Sequence, residues 1–467
     1  MLRTLAAFFA ALAFAGAADK PNLLFIFADD MTWKAIDALS EEDIDTPNLD
    51  RLVEQGTVFT HAYNSGGWHG AVCVASRTML NTGYQLWRVQ AAEKTLKRDF
   101  ADKGRSWSQQ LSAAGYRTCF SGKWHVQMKP EQIFDEVRNI RPGMPGSVKA
   151  AYERPVEGQP DPWDPTDRSI GGFWKGGKHW SEVIVDDYQV FIDSEDERPW
   201  FMYLAFNAPH DPRQMPQEFL DLYPLERMKT PANFLPVYPY RDPMAAPQSL
   251  RDEKLAPSPR TEFAVKTHRR EYYAIVSHMD AQVGRILEGL AQSPDADNTV
   301  ICFTADHGLG CGEHGLMGKQ NMYDHSVRVP FILAGPGVPK GKQLAAPIYL
   351  QDVMPTFLQL AGAEIPEDVD FQSVLPLLEG KGTPRKQVFG AYRSHQRMIT
   401  RDGKKLILYP EAKVARVFDL TKDPDERNDL IATAEGQKIA SDLFGQLVAE
   451  LDRQGDSIDL GAAYPGL

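Results

Sequence analysis

Four short apolar runs, each halted by ionisable side chains, constrain the fold of this chain more than any other feature. Residues 22–28 read Asn-Leu-Leu-Phe-Ile-Phe-Ala and stop at Asp29-Asp30. Residues 116–120 lead through Ser121-Gly122 to Lys123 and His125. Residues 200–206 end before Pro209-His210-Asp211-Pro212, and residues 299–305 end at Asp306-His307-Gly308. Unbroken hydrophobicity of this length is the pattern of strands buried on both faces, as in a parallel sheet flanked by helices. Open α/β sheets collect ligands at the carboxyl ends of their strands. Any one of these polar stops also reads as a solvated turn; four at equivalent places point to a site. Acids in such a position suit a metal ion. Lys123 and His125, two apart in an extended segment, point the same way. The prolines around His210 exclude a helix there.

A fifth stretch, Cys73-Val74-Ala75-Ser76-Arg77 continuing to Thr82-Gly83, reads as a loop turning into a helix that Gly83 closes. A cysteine at a helix start sits where backbone N–H groups and the helix dipole favour negative charge. Arg77 lies one turn on and faces the same side, placed to hold an anionic group above Cys73. Taken alone, the stretch reads first as a half-buried cysteine beside a surface arginine. The other cysteines are Cys119, Cys302 and Cys311. The first two fall in strand-like runs and read as packed core, and Cys311 reads as core or exposed. Four cysteines in 467 residues do not make a disulfide framework.

A chain of 467 residues exceeds one ordinary core, so a large domain and a smaller one are expected. Residues 1–17, with Arg3 before an apolar stretch and Ala15-Gly16-Ala17 after it, read as an export signal. That places the mature protein in the periplasm or outside the cell. No stretch is long enough to span a membrane. The net charge of −12 and the lack of a basic cluster argue against nucleic acid, though not against a small anionic substrate.

Between the strands, Thr46-Pro47 starts a helix that Gly56 ends, and residues 106–114 form a short helix closed by Gly115. Residues 130–182 read as irregular, with Trp163, Trp174, Lys175, Lys178, His179 and Trp180 clustered. That cluster reads as a platform for a sulfated or phosphorylated sugar, or as a loop packed by its own tryptophans. The proline-punctuated stretch to about Arg260 is long enough to suggest function. A helical pattern runs from Tyr272, and a strand covers residues 329–334. Residues 352–361 form the last helix of the main domain. From about Pro384 the pattern changes, with a hairpin at Asp402-Gly403 and a closing helix bearing Ile439, Leu443, Leu447 and Leu451. His395 lies at the start of this part. The expected architecture is therefore α/β: a large, mixed, mostly parallel central sheet flanked by helices over residues 18–383. A small α+β subdomain with an antiparallel sheet follows over residues 384–467.

These segments together resemble the type I, formylglycine-dependent sulfatases of the alkaline phosphatase superfamily. The C-x-P-S-R signature followed by T-G is matched by Cys73 to Arg77 with Thr82-Gly83, and G-Y-x-T with G-K-W-H by residues 115–118 and 122–125. The metal, lysine and histidine segments match at Asp29-Asp30, Asp306-His307, Gly318-Lys319 and Pro209–Pro212. The resemblance covers about residues 20–430, including Phe418-Asp419-Leu420 with Asp423-Pro424. Two positions depart from the pattern. Ala75 replaces a proline, which fits maturation by radical-type enzymes better than by oxygen-dependent ones, and Asn81 stands where an apolar residue is usual.

The resemblance implies that Cys73 is oxidised to formylglycine by a formylglycine-generating or an anaerobic sulfatase-maturing enzyme. The hydrated aldehyde then attacks the sulfur of a sulfate ester, and a second hydroxyl later expels sulfate. Asp29, Asp30, Asp306 and His307, with the modified Cys73, would hold a divalent metal, Ca²⁺ first and Mg²⁺ second. Arg77 and Lys123 would stabilise the diol and the developing charge. His125 would assist elimination, and His210 and Lys319 would bind sulfate and protonate the leaving oxygen. Residues 218–226 are similar to iduronate sulfatases, which with the aromatic-basic cluster points to a sulfated carbohydrate cut by exo action. An aryl or choline sulfate is the other substrate class. The rival functions are a phosphonate or phosphodiester hydrolase of the same superfamily and a non-catalytic protein that binds sulfated glycans.

Overall fold

The computed structural model describes residues 20–467, so the export segment expected at residues 1–17 lies outside the described residues. The apolar runs become neighbouring strands. β1 (Asn22–Ala28) lies between β8 (Thr299–Ala305) and β7 (Trp200–Ala205), with β5 (Arg117–Lys123) beyond β7. All four run parallel and every residue in them is buried. Their carboxyl ends therefore meet along one edge of the sheet.

Four more strands complete this sheet. β6 (Glu136–Arg141) pairs in parallel with β5 at one margin. At the other, β10 (Phe331–Ala334) pairs antiparallel with β8, followed by β2 (Gly56–Phe59) and β11 (Lys342–Leu344). Only β10 runs against the rest, so the sheet is mixed and mostly parallel, as the sequence implies. On one face Phe25, Phe201 and Tyr203 meet Trp107 and Phe357 from the helices Trp107–Ala113 and Val353–Leu360. A small three-stranded sheet joins β12 (Ile348–Tyr349), β3 (Ala62–Tyr63) and β9 (Arg328–Val329). Among the described residues, no helix is long and apolar enough to cross a membrane.

A second large sheet contains β13 (Gln387–Tyr392), β14 (Gln396–Arg401), β15 (Lys404–Tyr409) and β16 (Val414–Asp419), paired antiparallel in order. Asp402 (φ 48°) and Gly403 (φ 71°) turn β14 into β15 with both residues left-handed, as a two-residue hairpin demands. Leu443, Leu447 and Leu451 of the helix Ala434–Gln454 are buried, as their spacing predicts. The fifth strand of this sheet comes from far upstream. β4 (Gly66–Gly67) pairs in parallel with β13 and leads directly into the helix that carries Cys73.

Several expectations are corrected. The stretch read as irregular over residues 130–182 contains β6, whose alternating Glu-Val-Arg-Asn-Ile-Arg suits a half-exposed edge strand. The helix Trp180–Ile192 also begins inside it, capped by the His179 side chain. The helical segment placed at Tyr272 starts at Glu262, with Thr261 as its cap. Buried polar residues in its first turns (His268, Arg269 and Glu271) break the apolar stripe that would have announced it. The strand expected over residues 329–334 is split by Pro330 between two sheets. Cys311 is buried, as are the other three cysteines.

Candidate active site

The four strand ends and the Cys73 helix converge on one point. Cys73 is the second residue of the helix Val72–Thr82, which Gly83 closes in the left-handed conformation (φ 74°). Potential ligand atoms of Asp29, Cys73, Asp306 and His307 lie within 4.8 Å of one another, as do those of Asp29, Asp30, Cys73 and His210. Backbone bonds fix the strand ends to each other: Asp306 N–H donates to Ala28 O at 3.1 Å, and Asp29 N–H to Ala208 O at 3.1 Å. Asp306 Oδ1 accepts from the backbone N–H of both Asp30 (3.1 Å) and His307 (3.0 Å).

The cations interleave with these acids. Lys123 Nζ donates to Asp29 Oδ2. Lys319 Nζ reaches Asp30 Oδ1 and Oδ2 at 2.8 and 2.9 Å, His210 Nε2 at 3.2 Å and Cys73 Sγ at 3.6 Å. Arg77 departs from its expected place above Cys73. It is fully buried, with Nε 2.9 Å from Asp306 Oδ2, Nη1 2.8 Å from Lys123 O and the Phe27 ring under its guanidinium. Arg77 therefore touches the acids and the Lys123 backbone, not Cys73. Asn81 Nδ2, on the same helix, donates to Arg77 O at 2.9 Å, which accommodates the amide in a buried position.

The electrostatics follow from this packing. Burial opposes a thiolate at Cys73, but the ammonium groups of Lys123 and Lys319 outweigh it and hold the thiol well below its usual range. Burial and the neighbouring Asp306 push Asp29 well above the carboxylate range despite Lys123. Three carboxylates are thus crowded about one point, held there by Arg77, Lys123 and Lys319. His307 Nδ1 bonds to Gly308 O at 2.8 Å, which leaves its Nε2 with no hydrogen-bond partner 3.2 Å from Asp30 Oδ1. Asp29 Oδ1 is buried and also without a donor. Orphaned acceptors of this kind are what a cation would satisfy.

A cavity of about 420 Å³ opens onto Cys73, lined also by His125, His210 and Lys319. His125 adopts φ 58°, and Gly143 packs so close over its ring that a Cβ there would lie 2.4 Å from Cε1. The sequence-derived residues therefore come together, with Arg77 shifted to a supporting place. The aromatic-basic cluster does not. Trp163, Trp174, His179 and Trp180 are buried in packing, with His179 stacked on Phe173, and Lys178 pairs with Asp186. Tyr223, in the segment similar to iduronate sulfatases, is likewise interior, bonded to Ser277 Oγ at 2.6 Å. His395 pairs with Glu411 at 3.0 Å. In their place the cavity is lined by Met144, Leu250, Arg251, Asp252 and Gln320, which sequence reasoning passed over. The one available signal was the length of the unpatterned stretch before Arg260.

Comparison with known proteins follows the same lines. The family model described as "Sulfatase" matches residues 21–363, and one described as "N-sulphoglucosamine sulphohydrolase, C-terminal" matches residues 312–453. A choline-sulfatase of Rhizobium meliloti is 29% identical, covering 89% of this chain and 83% of its own length. An N-acetylglucosamine-6-O-sulfatase of Bacteroides thetaiotaomicron is 26% identical, covering 93% and 87%. A solved structure in complex with its substrate D-glucosamine-2-N,6-O-disulfate superposes with a TM-score of 0.74 at 24% identity, covering 94% of this chain and 99% of that one. The phosphonate monoester hydrolase of Agrobacterium radiobacter superposes with a TM-score of 0.73 at 19% identity, covering 93% and 96%. The fold is thus shared by both chemistries.

Proposed function

This chain belongs to the sulfatase family, and on that premise we propose that it hydrolyses the sulfate ester of a sulfated carbohydrate at Cys73. The observation that carries the reading is the convergence of Asp29, Asp306 and His307 within 4.8 Å of Cys73, which itself lines a cavity. The residues fit a divalent cation. Three hard carboxylates, one of them with the orphaned Asp29 Oδ1, and the lone pair of His307 Nε2 would supply its ligands. Carboxylate oxygens favour Ca²⁺, then Mg²⁺. Asp29, Asp30, Asp306 and His307 would hold it, and the ion would lend positive charge to the nucleophile and to the sulfate oxygens. Formylglycine made from Cys73 would supply a hydrated aldehyde as the nucleophile.

The chain's own groups divide the remaining work. His210 Nδ1 donates to Asp211 O at 2.6 Å, so its Nε2 accepts from Lys319 Nζ at 3.2 Å. Lys319 is therefore the proton carrier on that side, 3.6 Å from the sulfur of Cys73, and the group placed to protonate the leaving oxygen. Lys123 and Lys319 present two ammonium groups to an incoming sulfate, in a buried setting that strengthens their pull. His125 borders the nucleophile from the opposite strand end and is the base for its second deprotonation. Arg77 holds Asp306 and the Lys123 backbone in register. The carbohydrate assignment is supported by the named activities of the relatives and by a cavity within the range of about 300–1,000 Å³ usual for small ligands. The expected export signal at residues 1–17 suits a protein that meets glycan fragments outside the cytoplasm.

The test has two arms on protein from its native host. Mass spectrometry of the peptide containing residue 73 is expected to show the aldehyde or its hydrate. Ion chromatography is expected to show sulfate released from sulfated sugars faster than phosphate or phosphonate esters are cleaved. An unmodified Cys73 in active protein overturns the nucleophile. Faster phosphonate turnover makes the chain a phosphonate hydrolase, and ligand binding without release from any ester makes it a binding protein.

A further inference from the structure

The sulfate end of the cavity is accounted for by Cys73, His125, His210 and Lys319. The alcohol end meets Arg251, Asp252 and Gln320, with Met144 and Leu250 as apolar wall. Arg251 Nε donates to Asp252 Oδ1 at 2.8 Å, and its Nη2 lies 3.5 Å from Asp211 Oδ1. Its remaining nitrogen, Nη1, faces the thioether of Met144, a weak acceptor. Asp252 Oδ2 accepts from Gln320 Nε2 at 2.7 Å, and the same amide donates to Gly70 O at 3.1 Å. A carboxylate has about four acceptor positions, so Asp252 keeps some for a ligand.

The arm is rigidly mounted. Glu253, next in the chain, accepts from the backbone N–H of Gly318 at 3.0 Å and of Met317 at 3.2 Å, and pairs with Arg260 at 2.7 Å. A Cβ at Gly318 would lie 2.9 Å from Asp252 Cβ, so the glycine before Lys319 is what lets the arm pack against the catalytic loop. The charge around it is uneven: one guanidinium stands between two carboxylates, Asp252 and Asp211. A second sulfate or a carboxylate brought to Arg251 would meet that surplus negative charge. A hydroxyl would not, and it can both donate to Asp252 and accept from Arg251.

We propose that Arg251 and Asp252 are the specificity-determining pair of this enzyme, recognising free hydroxyl groups beside the scissile ester of a monosulfated, otherwise uncharged sugar. The inference rests on the sulfatase reading and adds the alcohol it accepts. It is tested with the matured protein on monosaccharide monosulfates, each paired with the analogue lacking the neighbouring hydroxyl, with p-nitrophenyl sulfate as reference. For Arg251→Gln and Asp252→Asn, kcat/KM on the best hydroxylated sugar is expected to fall on the order of 10–100-fold further than on p-nitrophenyl sulfate. The deoxy analogue should lose no more than the reference does. Calorimetry of the same sugar on the Cys73→Ala protein, with and without Arg251→Gln, should show the matching loss of affinity. Equal losses on sugar and aryl esters would overturn the proposal and make the pair a brace for the Lys319 loop. A preference for disulfated or uronic substrates that Arg251→Gln removes would also overturn it, in favour of an anion site. No release by wild type from any ester, aryl included, would instead remove the sulfatase reading on which it stands.

Discussion

Two clusters of charge are buried in this protein, and they have opposite characters. At the strand ends, Asp29, Asp30 and Asp306 meet Arg77, Lys123 and Lys319, yet His307 Nε2 and Asp29 Oδ1 are left without partners, and Lys319 with the neighbouring Cys73 lines a cavity. In the C-terminal sheet, Lys405 on β15 stands between Asp324 at 2.7 Å and Glu426 at 2.8 Å. Asp324 N–H donates in turn to Glu426 Oε2 at 2.7 Å. The first cluster gathers six candidate ligand side chains about one point, while the second spends Lys405, with Arg328 3.5 Å from Asp324, on holding the C-terminal sheet against the catalytic loop. Buried charge alone does not mark a site. Incomplete charge beside an accessible nucleophile does.

Substitutions can break that contrast, and the largest effect belongs to the nucleophile. Cys73→Ala is expected to lower sulfate-ester turnover by roughly 10⁴-fold or more. Its melting temperature should stay near wild type, since the side chain carries none of the strand-end bonds; an active variant would make the first cluster a mere scaffold. Asp306→Asn comes next, with a loss on the order of 10²–10³-fold. Calcium should raise the melting temperature of the wild type after chelation and leave this variant unmoved, as differential scanning fluorimetry can show.

The second cluster should respond in stability instead. Lys405→Met leaves the buried Glu426 without its cation and Asp324 with only Arg328, 3.5 Å away, and denaturant unfolding is expected to show a loss of about 3–5 kcal/mol. Turnover per folded molecule should stay within a few-fold of wild type; a collapse of kcat would mean that the second cluster is catalytic after all. The smallest effect is one of pH. Burial raises the Glu426 carboxyl from 4.5 to about 7, against the pull of Lys405. The folded chain therefore keeps a proton there that the unfolded chain has released between about pH 4.5 and 7. That contribution to stability is complete below pH 4.5 and is lost as the pH rises through 7. Glu426→Gln should lack this slope, so the gap in melting temperature between variant and wild type should change across that window.

The strand ends were legible because burial on both faces writes an unmistakable run, and three of the four runs stopped within a residue of the observed strand, while the one read to Phe120 continues to Lys123. The Cys73 helix and the Asp402-Gly403 turn were legible for a related reason, since helix ends and two-residue hairpins demand particular residues. What escaped notice depends on three-dimensional neighbours. Arg251 and Asp252 matter because Gly318 and Glu253 hold them over the catalytic loop, a contact between distant segments that no local pattern encodes. The tryptophans at 163, 174 and 180 have the chemistry of a sugar platform, yet their apolar area is more stably spent in the interior. Arg77 was assigned to the right site and the wrong neighbour. Helical spacing gives its direction but not the length of reach to Asp306.

The pairing of β4 with β13 sets a clock on synthesis. Gly66 and Gly67 wait for Ala391 and Tyr392, which follow them from the ribosome roughly 15–65 s later at about 5–20 residues per second. During that interval the segment just before Cys73 has no sheet to join, and the cysteine rides on an open chain. Once the last sheet closes, Cys73 is 2% exposed. An enzyme that rewrites this side chain during that interval would meet an extended peptide, and one that comes later would have to reach it through the cavity.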